Sequence, residues 1–293
     1  WISIKLKDKV LAVRKDPTPV LLAFYSGGMK PAQGPSWKPL LQRASPSRSS
    51  STMRRKSRSG PCSAEFKPDA CTRKCSKWDE YLDELQKQVE APEFHSRSVV
   101  IFAHSHGCLA AYGLAKRLGK RLVKLYVAAR RPPNLALLDE VWGVLSGSAV
   151  AALSDQALLE GLLDSWRNTF LAPLRGKADL PPVAKKVCAT VREQYATPCA
   201  PGGSADLAVA LGSDSEAKVA APIMAIACSK ELEKGETAAK MEGWQSLAGA
   251  DFELRTVNAD HMDCLTPDEN GKTPELITLV VEDMKKLRSS DSG

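Results

Sequence analysis

Apolar runs alternate with segments of helical periodicity along most of this chain. Four continuous apolar runs and one alternating segment predict strands over residues 19–25, 98–103, 122–129, 222–228 and 252–257. Apolar residues at helical spacing predict helices over residues 78–89, 107–118, 236–247 and 274–287. Continuous apolar runs are typical of strands buried on both faces of a parallel sheet. The sequence therefore predicts an α/β fold with a mostly parallel central sheet flanked by helices.

Two segments interrupt this alternation. Residues 135–200 are rich in Leu and Ala, with breaks near Pro173 and Pro181, and we interpret them as a helical lid subdomain. Residues 43–77 are dominated by Ser, Arg and Lys without a hydrophobic period, which predicts a disordered loop or insertion that contains no strand. We interpret the 293 residues as a single domain that carries these two insertions.

The positive charge is concentrated in one of these insertions. Residues 43–77 hold ten Lys or Arg and two acids, which gives this segment a charge of +8. The net charge of the whole chain is +7, so the remaining residues together carry −1. A basic tract can attract nucleic acid or a membrane surface. Phe66 is the single aromatic residue of this tract, so aromatic residues are not interleaved with the basic ones, which favours a solvated loop without a nucleic-acid partner. No apolar stretch approaches the roughly 18–20 residues of a membrane span.

The eight cysteines are few for a chain of this length. This usage favours a reducing compartment, and we expect a cytoplasmic protein. Because the sequence begins at Trp1 rather than at Met, organelle targeting stays open. Cys62, Cys71 and Cys75 are separated by nine and four residues, which does not match the paired spacing of a zinc site. We expect neither a metal ion nor a cofactor.

The candidate nucleophile lies between a predicted strand and a predicted helix. Residues 103–107 read Ala-His-Ser-His-Gly, directly after the strand over 98–103. A nucleophile elbow needs small residues two positions before and after its serine, because the turn is tight and its neighbours are close. Ala103 and Gly107 meet this need, so we assign Ser105 as the nucleophile. The alternative is an ordinary strand–helix turn with a capping serine.

A serine hydroxyl needs a base that accepts its proton, and histidine is the usual one near neutral pH. The chain has four histidines. His104 and His106 flank the serine with side chains directed away from its hydroxyl, and His95 precedes the strand at the far end of the sheet. His261 remains, just after the last predicted strand, where active-site loops of such sheets lie. The alternative is a histidine in a surface loop.

A carboxylate that orients the base should follow an earlier strand. Glu231 comes directly after the strand over 222–228, and we assign it this role. Glu233, Asp260 and Asp263 are rivals, and Glu231 could instead be a solvated acid at a helix start.

An oxyanion hole needs two backbone N–H groups. We assign these to His106, the residue after the nucleophile, and to Ser26, which precedes two glycines after the first apolar run. A Gly-Gly turn after a strand is also common by itself.

Five stretches of the chain resemble the type II thioesterases that accompany polyketide, fatty-acid and nonribosomal-peptide synthases. Residues 21–28 are similar to the family's strand that ends in a Pro-Tyr-Ala-Gly-Gly loop. Residues 104–107 with Ala110 are similar to its Gly-His-Ser-Met-Gly elbow. The other three stretches are residues 125–133, residues 222–231, and Trp244 followed by residues 252–261. Glu231 and His261 fall where that family has its catalytic Asp and His. Phe24, Ala103 and His106 differ from the family pattern.

The resemblance implies an α/β-hydrolase fold with a helical lid and a monomeric protein. It also implies hydrolysis of acyl thioesters on the phosphopantetheine arm of an acyl carrier protein or synthase, through an acyl-enzyme intermediate. Two other functions stay open. One is an esterase or acyl hydrolase that acts on free substrates, and the other is a binding protein that has a degenerate site on the same scaffold.

Overall fold

A computed structural model describes residues 2–6, 9–13, 19–24, 37, 64–66, 78–91, 94, 97–105, 107–133, 152–166, 172–177, 179–195, 218–232, 238–261 and 263–290. The strands in these ranges are β1 (Ile2–Leu6), β2 (Lys9–Val13), β3 (Val20–Phe24), β4 (Ala64–Phe66), β5 (Val99–His104), β6 (Leu122–Ala128), β7 (Ile223–Cys228) and β8 (Phe252–Val257). The helices are α1 (Trp78–Val89), α2 (Gly107–Leu118), α3 (Asp155–Trp166), α4 (Pro182–Tyr195), α5 (Ser229–Leu232), α6 (Ala238–Glu242) and α7 (Glu275–Ser290).

Six strands form one parallel sheet in the order β4-β3-β5-β6-β7-β8. All five strands predicted from the sequence belong to it, and their ends agree within one or two residues. The carboxyl ends of parallel strands meet at one edge of a sheet, so the segments that follow β5, β7 and β8 are brought to the same side of the molecule.

The strand β4 corrects the interpretation of residues 43–77. Ala64–Phe66 pairs in parallel with β3, with Leu21 opposite Glu65, so the expectation that this segment contains no strand is wrong. The strand is only three residues long, and Phe66 is its one large apolar residue. A segment this short has no detectable period, because the edge of β3 supplies the pairing. The rest of 43–77 lies outside the described residues.

The antiparallel pair β1–β2 was not predicted either. It forms a separate two-stranded sheet in which Ile4 lies opposite Leu11. The signal was present in the sequence, because residues 2–6 alternate apolar and polar side chains as Ile-Ser-Ile-Lys-Leu.

The strands β3, β5, β6 and β7 are buried on both faces of the sheet, and successive residues of these strands enter different cores. In β3, Val20, Leu22 and Phe24 contribute to the core that includes α1 and α2. Leu21 and Ala23 contribute to the opposite core, which includes α7. All five are buried, which explains why this strand appears in the sequence as a continuous apolar run.

The helices α3 and α4 lie within residues 135–200 and form a small core of their own. Its buried members are Leu158, Leu159, Leu163, Leu180, Ala184 and Cys188. The predicted break near Pro181 is confirmed, because α4 begins at Pro182, a favoured first position for proline in a helix. The interpretation of this block as a lid stays a prediction, as does the single-domain interpretation of the chain.

The helix predicted over 236–247 is divided into two pieces. The α-helix α6 ends at Glu242, and a tighter 3₁₀ turn runs from Gly243 to Leu247. Within this turn Trp244 is fully buried, and its indole N–H donates to the carbonyl of Arg130 at 2.8 Å. Trp244 therefore fastens this turn to the segment that follows β6.

None of the helices in the ranges given above is both long and apolar enough to cross a membrane. Over the same part of the chain, no group of three or more His, Cys, Asp and Glu side chains is arranged to hold a metal ion. Cys62, Cys71 and Cys75 lie outside the described residues.

Candidate active site

Ser105 occupies the tight turn between β5 and α2. Its φ angle is 52°, a left-handed conformation that costs free energy for a residue with a side chain. The turn is held on both sides. The N–H of Ser105 donates to the carbonyl of Ala128 at 2.9 Å, and its carbonyl accepts from the N–H of Cys108 at 3.0 Å. A strained serine fixed between a strand and a helix is the conformation of a nucleophile elbow.

The small residues around Ser105 are required by their neighbours. A Cβ on Gly107 would lie 2.8 Å from the carbonyl carbon of Phe24 and 2.9 Å from its Cβ. Ala103 is fully buried and lies opposite Phe24 and Val127 in the sheet. The crowding that predicted small side chains at 103 and 107 is therefore present in the structure.

Replacing Gly107 by alanine should destabilise the protein, because the new methyl group meets backbone atoms that cannot move aside cheaply. We expect a loss of about 1–3 kcal/mol in the free energy of unfolding, measured by urea denaturation. Gly113→Ala is the matched control on the same helix. Its Cβ would meet the terminal methyl groups of Leu82 at 2.8 and 2.9 Å, and these side-chain atoms can shift more cheaply than backbone atoms. Alanine also favours the helix by about 1 kcal/mol. Equal unfolding midpoints for both variants would contradict this interpretation of the elbow.

His261 lies beside Ser105, although 156 residues separate them in the chain. The Ser105 hydroxyl donates to Nε2 of His261 at 2.8 Å. Both residues are buried, with 5% and 6% of their surface exposed, so little water competes for this bond. The segment after β8 thus brings the predicted base to the predicted nucleophile.

Glu231 contacts the other ring nitrogen of His261. The Nδ1–H group donates to Oε1 of Glu231 at 2.5 Å, which leaves Nε2 with the lone pair that accepts from Ser105. Glu231 lies in α5, directly after β7. The N–H of Lys230 donates to the carbonyl of Ala259 at 3.1 Å, and this bond ties the turn that carries the acid to the loop that carries the base.

The rival acids are placed differently. Oδ1 of Asp260 accepts the backbone N–H of Asp263 at 2.9 Å, which is a local turn contact. Burial and the neighbouring Asp260 raise the pKa of Asp263. Glu233 lies outside the described residues. Glu231 and Ser105 contact the two ring nitrogens of His261, so Glu231 is the candidate acid that lies against the predicted base.

Two cysteines near the site are poor competitors for the role of nucleophile. Burial raises the pKa of Cys108 to about 12, and its thiol contacts the carbonyl of Ala128 at 3.6 Å. The contact with the Cys264 thiol and burial raise the pKa of Cys228. Burial thus disfavours the thiolate, which is the reactive form, in both of these cysteines.

His104 flanks the nucleophile in the sequence, and in the structure its side chain makes a contact within the site. Its Nε2 lies 2.7 Å from the carbonyl oxygen of His261, and its ring centroid lies 4.9 Å from the His261 ring. Burial lowers the pKa of His104, whereas Cys264 and the His261 carbonyl raise it, and the net direction is upward. Nothing in the local sequence predicts this contact, which joins residues 157 positions apart.

The two residues assigned to the oxyanion hole, Ser26 and His106, lie outside the described residues. Their assignment stays a prediction. The neighbouring positions are described: β3 ends at Phe24, two residues before Ser26, and Ser105 and Gly107 flank His106.

Comparison with known proteins gives a match only at the level of structure. No family model matches the sequence, and no curated protein matches it. The RedJ thioesterase of the prodiginine biosynthetic pathway in Streptomyces coelicolor superposes with a TM-score of 0.56 at 16% identity, covering 96% of this chain and 92% of that chain. Human thioesterase 2 superposes with a TM-score of 0.54 at 13% identity, covering 94% and 98% of the two chains.

A third similar structure carries the name of the fold. A protein from Nostoc sp PCC 7120, assigned to the α/β hydrolases, has a TM-score of 0.53 at 15% identity and covers 86% of this chain and 88% of its own. Thioesterases are thus among the structures that this chain resembles, in agreement with the sequence resemblance. At these identities the likeness establishes the architecture, and the parallel sheet with helices on both faces agrees with it. The chain therefore has the α/β-hydrolase fold.

Proposed function

We propose that this protein is a serine hydrolase that cleaves acyl thioesters from the phosphopantetheine arm of a carrier protein, as an editing or release thioesterase. The observation that carries the proposal is the hydrogen-bonded series from Ser105 through His261 to Glu231, with bonds of 2.8 Å and 2.5 Å. This is the arrangement in which a base activates a serine and an acid orients the base.

In the proposed first step, Oγ of Ser105 attacks the carbonyl carbon of the thioester while Nε2 of His261 takes the hydroxyl proton. The imidazolium that forms is stabilised by the carboxylate of Glu231 through the Nδ1–H bond. The backbone N–H groups of Ser26 and His106 would stabilise the oxyanion of the tetrahedral intermediate. The intermediate collapses, the carbon–sulfur bond breaks, and His261 gives its proton to the departing thiol.

In the second step, water replaces the thiol. Nε2 of His261 takes a proton from water as the water oxygen attacks the acyl-enzyme ester, and it returns that proton to Oγ of Ser105 as the ester bond breaks. The products are the free acid and the thiol of the phosphopantetheine arm. The burial of Ser105 and His261 supports this chemistry, because charge–dipole interactions are stronger where water is excluded.

We propose a thioester rather than an ester substrate because the chain is similar to thioesterases. The three side chains alone could serve either reaction. The sequence resembles type II thioesterases over five stretches, and RedJ, a similar structure, is a thioesterase of a biosynthetic pathway. These support a carrier-protein partner for this chain. The intact hydrogen bonds between the three side chains favour an enzyme over a binding protein with a degenerate site. The monomeric state and the cytoplasmic location remain predictions.

Substrate competition tests the proposal. The protein is given an acyl-carrier protein and the p-nitrophenyl ester of the same acyl group, and kcat/KM is measured for each. We expect the carrier-protein substrate to be preferred by about tenfold or more, because binding energy from the carrier can be used at the reacting carbonyl. Equal values, or a preference for the simple ester, would favour the esterase alternative.

Glu231→Gln should lower kcat by about 10³- to 10⁴-fold, because an amide keeps the shape of the side chain but cannot stabilise the imidazolium by charge. The expected loss appears in kcat at constant protein stability, as measured by steady-state kinetics and thermal unfolding. Glu242→Gln, which changes an exposed acid at the end of α6, is the matched control and should keep wild-type kcat. A Glu231→Gln variant with wild-type kcat would remove Glu231 from the triad.

A further inference from the structure

We propose that His104 is a positioning residue for this reaction: its Nε2–H group fixes the backbone of His261 and thereby aims the imidazole at Ser105. The inference rests on the proposed function, since it assigns His261 as the base. It concerns a side chain that belongs to the nucleophile's own strand, β5, but contacts the loop of the base.

The donor is unambiguous in this contact. A carbonyl oxygen can only accept, so the bond of 2.7 Å between Nε2 of His104 and the carbonyl oxygen of His261 requires the proton on Nε2 in either protonation state of the ring. His104 has no exposed surface, and Nδ1 makes no hydrogen bond to a described residue. The bond to the carbonyl of the base therefore holds the ring, which also interacts with the side chain of Cys264.

The carbonyl of His261 accepts a second side-chain bond. Sγ of Cys264 lies 3.3 Å from the same oxygen and donates to it when the thiol is protonated, although the contact with the Cys228 thiol lowers the pKa of Cys264 to about 5. A carbonyl oxygen has two lone pairs, and here both are directed at side chains. The peptide plane that follows His261 adjoins the Cα–Cβ bond of its imidazole. Fixing that plane therefore restricts where the ring can point.

The loop of His261 needs such a fastening because of its position in the sheet. The strand β8, which precedes it, is three strand positions from β5, a distance of about 14 Å at the usual strand spacing. The loop must reach back across β6 and β7 to bring His261 to Ser105. His104 is the last residue of β5 and directly precedes Ser105. Its bond therefore fixes the loop of His261 relative to the nucleophile.

The tilted contact between the two imidazole rings adds to this effect. Their centroids lie 4.9 Å apart with an interplanar angle of 53°. The His104 ring therefore also limits rotation of the His261 side chain about its own bonds. Catalysis depends on the distance and angle between Nε2 of His261 and Oγ of Ser105, and a displacement of about 1 Å can cost about 100-fold in rate.

Three substitutions at His104 distinguish the effect of this hydrogen bond on catalysis from the effect of side-chain packing. H104Q places an amide N–H the same number of bonds from Cα as Nε2, so it can still reach the His261 carbonyl. H104N carries the same amide one bond too short, and H104L fills the space without a donor. We expect kcat to fall about 10- to 100-fold in H104L and H104N with KM nearly unchanged, and H104Q to recover most of the loss.

A spectroscopic measurement tests the same inference without turnover. The proton between Nδ1 of His261 and Glu231 should give a low-field ¹H resonance in the wild-type protein and in H104Q. We expect it to broaden or move upfield in H104L and H104N, because the ring is no longer held against the carboxylate. If the wild-type protein hydrolyses no acyl substrate, the proposed function fails, while this resonance still decides whether His104 positions His261.

Two outcomes would overturn the proposal. One is a folded H104L with wild-type kcat and an unchanged low-field resonance. The other is a folded H104Q variant that loses as much kcat as H104N. The amide of H104Q can reach the carbonyl of His261 and that of H104N cannot, so equal losses would mean that this hydrogen bond does not position His261. Should H104L fail to fold, the comparison of H104Q with H104N decides the outcome alone.

Discussion

Ser105→Ala is expected to lower kcat for the acyl-thioester substrate by on the order of 10⁵- to 10⁶-fold, leaving a residual rate. The substitution removes one oxygen atom, the only atom of the nucleophile that forms a bond to substrate in the proposed mechanism. The hydroxyl donates to Nε2 of His261 at 2.8 Å in a buried site, and alanine leaves the surrounding side chains in place. Single-turnover and steady-state kinetics on the same acyl-carrier substrate measure the effect.

The control for this variant is a comparison of folding. The fold should be retained, since alanine is smaller than serine and the elbow is held by the backbone bonds to Ala128 and Cys108. Thermal unfolding and circular dichroism are expected to match the wild-type protein closely. A folded Ser105→Ala variant that retains more than about one-hundredth of wild-type kcat would mean that another group is the nucleophile.

His261→Ala is expected to lower kcat by a similar factor, because the serine then has no base to take its proton. The double variant Ser105→Ala with His261→Ala should be no slower than either single variant, since residues that act as one unit lose their effect together. His95→Ala is the matched control, because it removes a histidine to which the proposed mechanism gives no role. Additive losses in the double variant would show that the two residues act independently.

Most strands of the central sheet could be predicted because burial leaves a pattern within the strand's own residues. Burial of β3 and β5 on both faces requires an apolar side chain at nearly every position, and this leaves a continuous run in the chain. β4 could not be predicted in the same way, since its three residues are placed by the edge of β3 rather than by their own pattern. The 3₁₀ turn that begins at Gly243 is also decided by packing, around the fully buried Trp244.

The candidate site could be predicted in part because histidine is scarce in this chain. With four histidines, position relative to the predicted strands was enough to select His261, and the structure places it against Ser105. The sequence alone does not separate Glu231 from its rivals, which lie close by. In the structure, the short α5 helix places Glu231 against Nδ1 of His261, while Asp260 bonds to its own turn.

The contact of His104 shows what sequence reasoning misses. A residue beside the nucleophile in the chain was expected to point away from the Ser105 hydroxyl, and this expectation gave it no role. Its partner, the carbonyl of His261, is a backbone atom that every residue possesses, so no pattern of residue types marks it. Bonds from side chains to distant backbone atoms depend on the complete fold.

Covalent labelling shows most simply whether Ser105 is an activated nucleophile. The wild-type protein is treated with a fluorophosphonate, and the modified residue is located by mass spectrometry of its peptides. We expect a single adduct on Oγ of Ser105, formed much more slowly in His261→Ala and absent in Ser105→Ala. A folded wild-type protein that takes up no label, or a Ser105→Ala variant that is labelled as fast as the wild type, would contradict it.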